Sequence, residues 1–435
     1  MRCRCATRPD ADVSSLSFSN GVGDRPGQTA RPGFYAWLVF ALTFGLLISD
    51  YMARQVLNAV FPLLKAEWSL TDGQLGFLSG VVALMVGLLT CPVSLLADRL
   101  GRVKSIAIMA AVWSVATVLC GLAQSYQEML AARVLVGVGE AAYGSVGIAV
   151  IISVFPRHMR ATLTGAFMAG GLAGQVLGVG IGGVVAAAHG WRTAFLAIGA
   201  GGLLLALVYP LVVQEVRLNE GEVPERGRVT LRSVGALLAG GQLKCAYVGS
   251  GLSLLTAAAL PAWLPTYFVR YYDFPLEKAA PVAAVFLAIG GAGMIICGAV
   301  SDRLVRTLNQ RASLSVAYCL GCAFLIGAAM TLEPGPAQLV LLGLGMFFAA
   351  ASAGPAGAMV ANLTPAALHG TAFAVLTLAN NAFGLAPGPI LTGWLADRIG
   401  LLGAMQWLPF ASLAAALVFF LASRQPEAEL SASAA

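Results

Sequence analysis

Of the 435 residues, 58% are hydrophobic and 11% are Asp, Glu, Lys or Arg, where an ordinary soluble domain carries about 25% charged residues. With a mean hydropathy of +0.82, this composition excludes a soluble domain and predicts a polytopic membrane protein. The formal charge of +6 is scattered over short loops, which points to membrane orientation and not to nucleic acid as a partner.

Residues 1–34 are polar and rich in Arg, Ser, Gly and Pro. They lack the apolar core of a signal peptide and are expected to form a disordered cytoplasmic tail. A helix needs about 20 residues to cross a bilayer, and apolar stretches of that order lie near 35–64, 74–97, 104–124, 127–153, 161–188 and 192–213. The polar stretch 214–243 follows as a cytoplasmic linker, within which Val229 to Leu238 reads either as an amphipathic surface helix or as plain connection. Six more stretches fit at 244–269, 279–301, 313–332, 336–362, 369–396 and 401–423, and 424–435 forms a second cytoplasmic tail. The predicted fold class is all-α, with twelve transmembrane helices in two pseudo-symmetric six-helix bundles, 35–213 and 244–423.

Two motifs recur between the bundles. Asp98-Arg99 ends the second span and Asp302-Arg303, 204 positions later, ends the eighth; a proline four residues before a basic residue, Pro156 to Arg160, returns as Pro365 to His369. Lysine and arginine fix the orientation. Arg99, Arg102, Lys104, Arg157, Arg160, Arg303, Arg306 and Arg311 share one side with the tail and linker, against Lys65, Arg192, Arg270, Lys278 and Arg398 on the other. The richer side is expected to be cytoplasmic. Of the eight cysteines, Cys91, Cys120, Cys245, Cys297, Cys319 and Cys322 lie in or near spans and read as small buried residues. The 51 glycines predict tight helix packing.

Six plus six helices with Asp98-Arg99-x-Gly101-Arg102 between the second and third resemble the major facilitator superfamily, over roughly residues 35 to 423. Arg133-x-x-x-Gly137-x-Gly139-Glu140-Ala141 in the fourth span, Asp50 and Arg54 in the first, and Gly190-Trp191-Arg192 before the sixth are similar to its Spinster-like branch, which is associated with lipid-like amphiphiles. A related branch, the anion:cation symporters of sugar acids and other organic anions, shares the acidic and basic pair of the first span. The chain departs from the usual pattern in carrying Ser94 in place of glycine and no acidic residue near Ser153. The resemblance implies a cytoplasmic gate of Asp98, Arg99, Gly101, Arg102, Arg160, Asp302 and Arg303, with Asp98 bracing the two halves in the outward-open state. An aspartate at one helix end suits the positive N-terminal end of another. Asp397-Arg398, on the opposite side, is expected to be an ordinary interfacial pair.

Asp50 and Arg54 are four residues apart and share a helical face; Arg133 and Glu140, seven apart, share one as well. Each ionisable group within a span costs about 2.5–3.5 kcal/mol on insertion scales, so such groups face a watery path or one another. All four are expected to line one cavity, where Glu140 and Asp50 exchange a proton while Arg54 and Arg133 attract an anionic group. The rival expectation is a static ion-pair brace between the first and fourth helices. The second half offers no charge away from its span ends, and its candidates are Trp263, Tyr267, Phe347, Phe348, Asn380 and Asn381.

Together these residues predict proton-coupled secondary transport by alternating access, of an amphipathic or lipid-like organic solute with a polar or anionic head. The alternative solute is a small organic anion such as a sugar acid or aromatic carboxylate. From another class, a non-cycling receptor or lipid-binding scaffold of the same fold remains. An enzyme is not expected, because His158, His189 and His369 sit near membrane boundaries without metal or nucleophile pairing. Neither a cofactor, a metal nor ATP is expected. The expected partners are the solute, protons and the lipid bilayer, with a monomer in the bacterial inner membrane and both termini cytoplasmic.

Overall fold

The computed structural model describes residues 33–215, 218, 240–365 and 368–425. Nearly all of both expected tails, the linker segment Val229 to Leu238 and the Asp98 side chain lie outside the described residues.

The first half consists of α1 (Phe34–Ala59), α2 (Phe61–Trp68), α3 (Asp72–Leu100), α4 (Arg102–Leu122), α5 (Tyr126–Glu140), α6 (Tyr143–Val154), α7 (Arg157–His189) and α8 (Trp191–Val212). The second consists of α9 (Gly241–Tyr271), α10 (Leu276–Leu304), α11 (Leu308–Thr331), α12 (Pro336–Ala349), α13 (Ala353–Asn362), α14 (His369–Asn380), a π-helical turn (Asn381–Leu385), α15 (Pro387–Gln406) and α16 (Leu408–Ser423). Gly400 interrupts α15 with φ 77° and ψ 160°, so the eleventh span ends there and the twelfth runs from Leu401 through α16. Twelve spans result among the described residues, as expected.

Local chemistry sets the junctions. Thr71 and Thr307 each close a capping box with the Gln three residues on, and Pro156 and Pro275 stand in extended conformation immediately before α7 and α10. Gly101, Gly190 and Gly400 take φ of 88°, 84° and 77°, a region that a Cβ disfavours, and each lets the next helix begin at once.

The fourth and tenth spans are not continuous. Glu140 is the last residue of α5, and the chain re-enters a helix only at Tyr143; in the other half, α12 stops at Ala349 and α13 starts at Ala353. Helices broken at corresponding places of two repeats are how transporter folds make room for a midplane site.

The two halves meet where α3 packs along α15 and α7 along α10. One apolar cluster joins them, including Phe61, Leu75 and Val179 of the first half and Trp263, Phe268 and Ala283 of the second; the remaining clusters each stay within one half. The joint cluster lies toward the end that carries Thr71, Gly190 and Gly400, here termed the Gly400 end. The opposite end, with the α3–α4 turn, is the Gly101 end.

Candidate functional site

Arg54 reaches from α1 to Glu140 at the end of α5, its Nε and Nη2 donating to the same Oε2 at 3.0 and 2.5 Å. The Glu140 side chain is wholly buried, whereas that of Arg54 is 19% exposed and lies 5.3 Å from the centre of the Tyr51 ring. Asp50, buried one turn earlier on α1, stands beside the Glu140 carboxyl. One oxygen on each acid, Asp50 Oδ1 and Glu140 Oε1, is buried without a hydrogen-bond partner. Buried polar atoms are seldom left in that condition. A single proton turns a carboxyl oxygen from acceptor into donor, so two such acids side by side form a site able to hold one.

The glycines of the fourth span make this geometry possible. A Cβ built at Gly137 would come 2.6 Å from Met85 Cβ of α3, and one at Gly139 2.6 Å from the Trp113 amide of α4. Only bare backbone lets α5 press between these helices and present Glu140 to α1.

Arg133, expected to meet the solute with Arg54, has a different place. It is 0% exposed, and its Nε, Nη1 and Nη2 donate to the carbonyls of Leu78, Ala53 and Arg54 at 3.2, 3.0 and 3.1 Å. A side chain with each of its three nitrogens on a carbonyl, from α1 and α3, ties α5 to both. It positions Arg54 by holding Arg54's own backbone oxygen.

Polar residues that the sequence reading passed over extend the site toward the Gly400 end. Asn58 Nδ2 donates to Gln55 Oε1 at 2.6 Å, Ser79 Oγ donates to Asn58 Oδ1 at 2.8 Å, and Gln55 Nε2 approaches Gln175 Oε1 at 3.5 Å. These side chains link α1, α3 and α7. Their signal was there: uncharged amides inside otherwise apolar spans.

In the second half, Asn380 and Asn381 occupy the junction between α14 and the π-helical turn, a distortion often found at functional sites. Asn381 Nδ2 donates to the Thr377 carbonyl at 2.9 Å, and both asparagine Oδ1 atoms are buried without partners. A Cβ at Gly87 would lie 2.8 Å from Asn381 Cβ. Met85 and Gly87 thus contact α5 and the π-helical turn from one turn of α3, which sets the asparagines and the Arg54–Glu140 pair at similar depth.

Trp263 and Tyr267, also expected at the solute, lie in the apolar cluster that closes the Gly400 end. Trp263 is fully buried, donates to the Pro389 carbonyl at 3.2 Å and packs on Phe61 with ring centres 5.1 Å apart; Tyr267 stacks in a group with Tyr271 and Tyr272. Phe347 and Phe348 pack on each other, and Phe348 on Tyr318.

At the Gly101 end, Asp302 is 72% exposed and pairs with Arg311 of its own half at 3.0 Å, and Arg160 Nε donates to the Phe155 carbonyl at 3.2 Å. Arg99 and Arg303 are exposed, and Gly101 and Arg102 are half-buried. At the Gly400 end, Asp397 is not an ordinary interfacial group: its carboxylate accepts the Asp72 and Gly73 amides of the other half at 2.7 and 2.8 Å. The partner lies 325 positions away, beyond any local sequence signal.

Comparison with known proteins agrees with this architecture. The family model described as Major Facilitator Superfamily matches residues 43–386. A D-galactonate transporter of Escherichia coli O6:H1 is 24% identical over 92% of this chain and 98% of its own length, and a gallate transporter of Pseudomonas putida is 26% identical over 68% of this chain and 71% of its own. The crystal structure of a bacterial homolog to the human lysosomal transporter Spinster, in an inward-facing and occupied conformation, superposes with a TM-score of 0.78 at 22% identity, covering 91% of this chain and 98% of that one. Its fold is the one that the Spinster-like resemblance implied.

Proposed function

Because the chain belongs to the major facilitator superfamily, we propose that this multi-pass membrane transporter works by alternating access and couples a proton to the movement of a small organic anion. The observation that carries the reading is the Arg54–Glu140 pair, a guanidinium 19% exposed and neutralised by one fully buried carboxylate. An arriving anion competes with Glu140 for Arg54. A proton on Glu140 removes the competitor, frees the guanidinium and keeps the site near neutrality, so anion and proton load together. Asp50, whose orphan oxygen sits in the same pocket, shares that proton.

The names of the relatives support an organic acid, sugar-derived or aromatic, as the solute class. The unpartnered Asn380 and Asn381 oxygens support it from the other side, since they accept hydrogen bonds from hydroxyl groups at the depth of the charged pair. Arg133 acts as a positioning residue in this reading. The lysine- and arginine-rich Gly101 end faces the cytoplasm, in the inner membrane of a bacterium, and the monomer suffices for transport. The family is a transporter class and not one of enzymes.

The test is thermal stability of the purified protein against sugar acids, aromatic carboxylates, lysophospholipids and sphingoid bases. A ligand at 100 times its Kd stabilises by about 2.7 kcal/mol. Stabilisation by a carboxylate, lost in Arg54→Ala, is the expected result. Stabilisation by lysolipids alone would replace the small anion with an amphiphile; stabilisation by no member of either group, with sealed vesicles also inactive, would favour a non-cycling scaffold.

A further inference from the structure

The turn that ends the eleventh span repeats the turn that ends the second. Ala97-Asp98-Arg99-Leu100-Gly101 and Ala396-Asp397-Arg398-Ile399-Gly400 differ only by Leu for Ile, and the two glycines adopt nearly one backbone, with φ and ψ of 88° and 155° against 77° and 160°. The spans that carry these turns pack together and run in opposite directions. Each therefore brings its aspartate to the end where the other begins.

At the Gly400 end that meeting has taken place. The two Asp397 carboxylate oxygens receive the first two amides of α3, where the helix dipole favours an anion. Thr71 already caps the Gln74 amide, so Asp397 supplements the cap with a charge from the other half. Gly73 leaves the space, since a Cβ there would lie 2.8 Å from Asp397 Oδ2. Beside this contact Arg270 donates twice to Asp72, at 2.7 and 2.6 Å, and Lys65 donates to the same carboxylate at 2.6 Å. Each half thus contributes one cation and one anion: Lys65 and Asp72 from the first, Arg270 and Asp397 from the second. At the Gly101 end Glu215 accepts the Arg102 and Val103 amides at the start of α4, at 2.8 and 2.7 Å, a cap that joins nothing across the halves.

We infer that Asp397 on the start of α3, with Arg270 on Asp72, is a latch that holds the Gly400 end shut, the counterpart of Asp98 at the Gly101 end. The resemblance implies the corresponding contact for Asp98 in the opposite end state, so that the two would be made in turn. The inference rests on the halves alternating as proposed above, and neither the solute nor the coupling ion enters it.

Hydrogen–deuterium exchange of the full chain in detergent, without solute or gradient, tests it. Asp397→Asn and Arg270→Gln should speed exchange in peptides covering 69–76 and 262–272 and slow it in those covering 94–106, as the population ratio moves about tenfold, equivalent to about 1.4 kcal/mol. Asp98→Asn should move both sets the opposite way. Faster exchange at 69–76 with no change at 94–106 would make Asp397 a local cap and overturn the latch, as would no change at either end. Should a single variant fail to fold, the exchanged pair Asp72→Arg with Arg270→Asp keeps the question open to measurement: wild-type exchange at both ends supports the latch, and exchange raised at the Gly400 end alone overturns it. A latch that fails this test leaves the solute panel unaffected, and a failed panel leaves the exchange result intact.

Discussion

Arg133 has every guanidinium nitrogen on a backbone carbonyl, while Arg54, on the neighbouring helix, keeps Nη1 unengaged among the described residues and is 19% exposed. Removing the first should therefore damage the fold and removing the second should damage binding. Arg133→Met strips charged donors from three carbonyls at a cost of about 3 kcal/mol, visible as a lowered unfolding midpoint with solute binding retained in the folded fraction, whereas Arg54→Ala, which leaves the buried Glu140 unpaired, lowers the midpoint and loses solute binding as well. Glu140→Gln keeps the shape of the side chain and abolishes its titration. In proteoliposomes its uptake should no longer respond to a pH jump that drives the wild type, while exchange between solute pools at equal pH persists; undiminished proton-driven uptake in the variant would remove Glu140 from coupling. The i, i+4 spacing of Asp50 and Arg54 and the two-turn spacing of Arg133 and Glu140 made their helical faces legible in the sequence, because periodicity fixes direction around a helix axis. Which arginine meets a carboxylate and which meets carbonyls was not legible, because it depends on where α3 and α5 cross α1.

Among the elements, the twelve spans followed from apolar length, and their junctions from proline, threonine and glycine. The breaks at Ala141-Ala142 and Ala350 to Ser352 and the π-helical turn after Asn380 did not, since alanine is the strongest helix former and no local residue type marks these interruptions. The short α2 at the Gly400 end carries a testable case. Glu67 accepts from Trp191 Nε1 at 2.6 Å and pairs with Arg192 at 2.8 Å, joining α2 to the start of α8. Burial pushes the Glu67 carboxyl up, but the indole N–H and the guanidinium outweigh it and hold the group below its ordinary value of 4.5. A carboxyl lowered by folding contributes stability that is full above the unfolded value and disappears as pH falls through the folded one. The midpoint difference between wild type and Glu67→Gln should be full near neutrality and disappear as pH falls below 4.5 and through the lowered value of the folded state; because the pair is partly exposed, it should also shrink in high salt. A difference that persists unchanged into acid would assign Glu67's contribution to packing alone.

At the scale of the whole molecule, the joint apolar cluster, the Arg270–Asp72 ion pair and the Asp397–amide contacts gather at one end, so transport requires that end to part. The α7–α10 contact offers a direct way to forbid it. A Cβ at Gly180 would lie 3.2 Å from Ala284 Cβ, close to the roughly 3.5–4.5 Å that a disulfide spans, and both positions lie on the Gly400 side of the midplane. In the double variant Gly180→Cys with Ala284→Cys, oxidation should reduce uptake to the background of empty vesicles, and reduction should restore it. Solute binding should survive the crosslink, because the crosslink holds the Gly400 end in the arrangement it already has, closed by the joint apolar cluster. The two readouts must therefore diverge: thermal stabilisation by the solute retained, transport lost. Uptake that continues through the oxidised form would mean that the halves do not separate along α7 and α10, and the solute path would have to run elsewhere. If binding and uptake fell together, the crosslink would have distorted the Arg54 pocket, and the same pair moved to the α3–α15 seam would then decide whether closure itself stops the cycle.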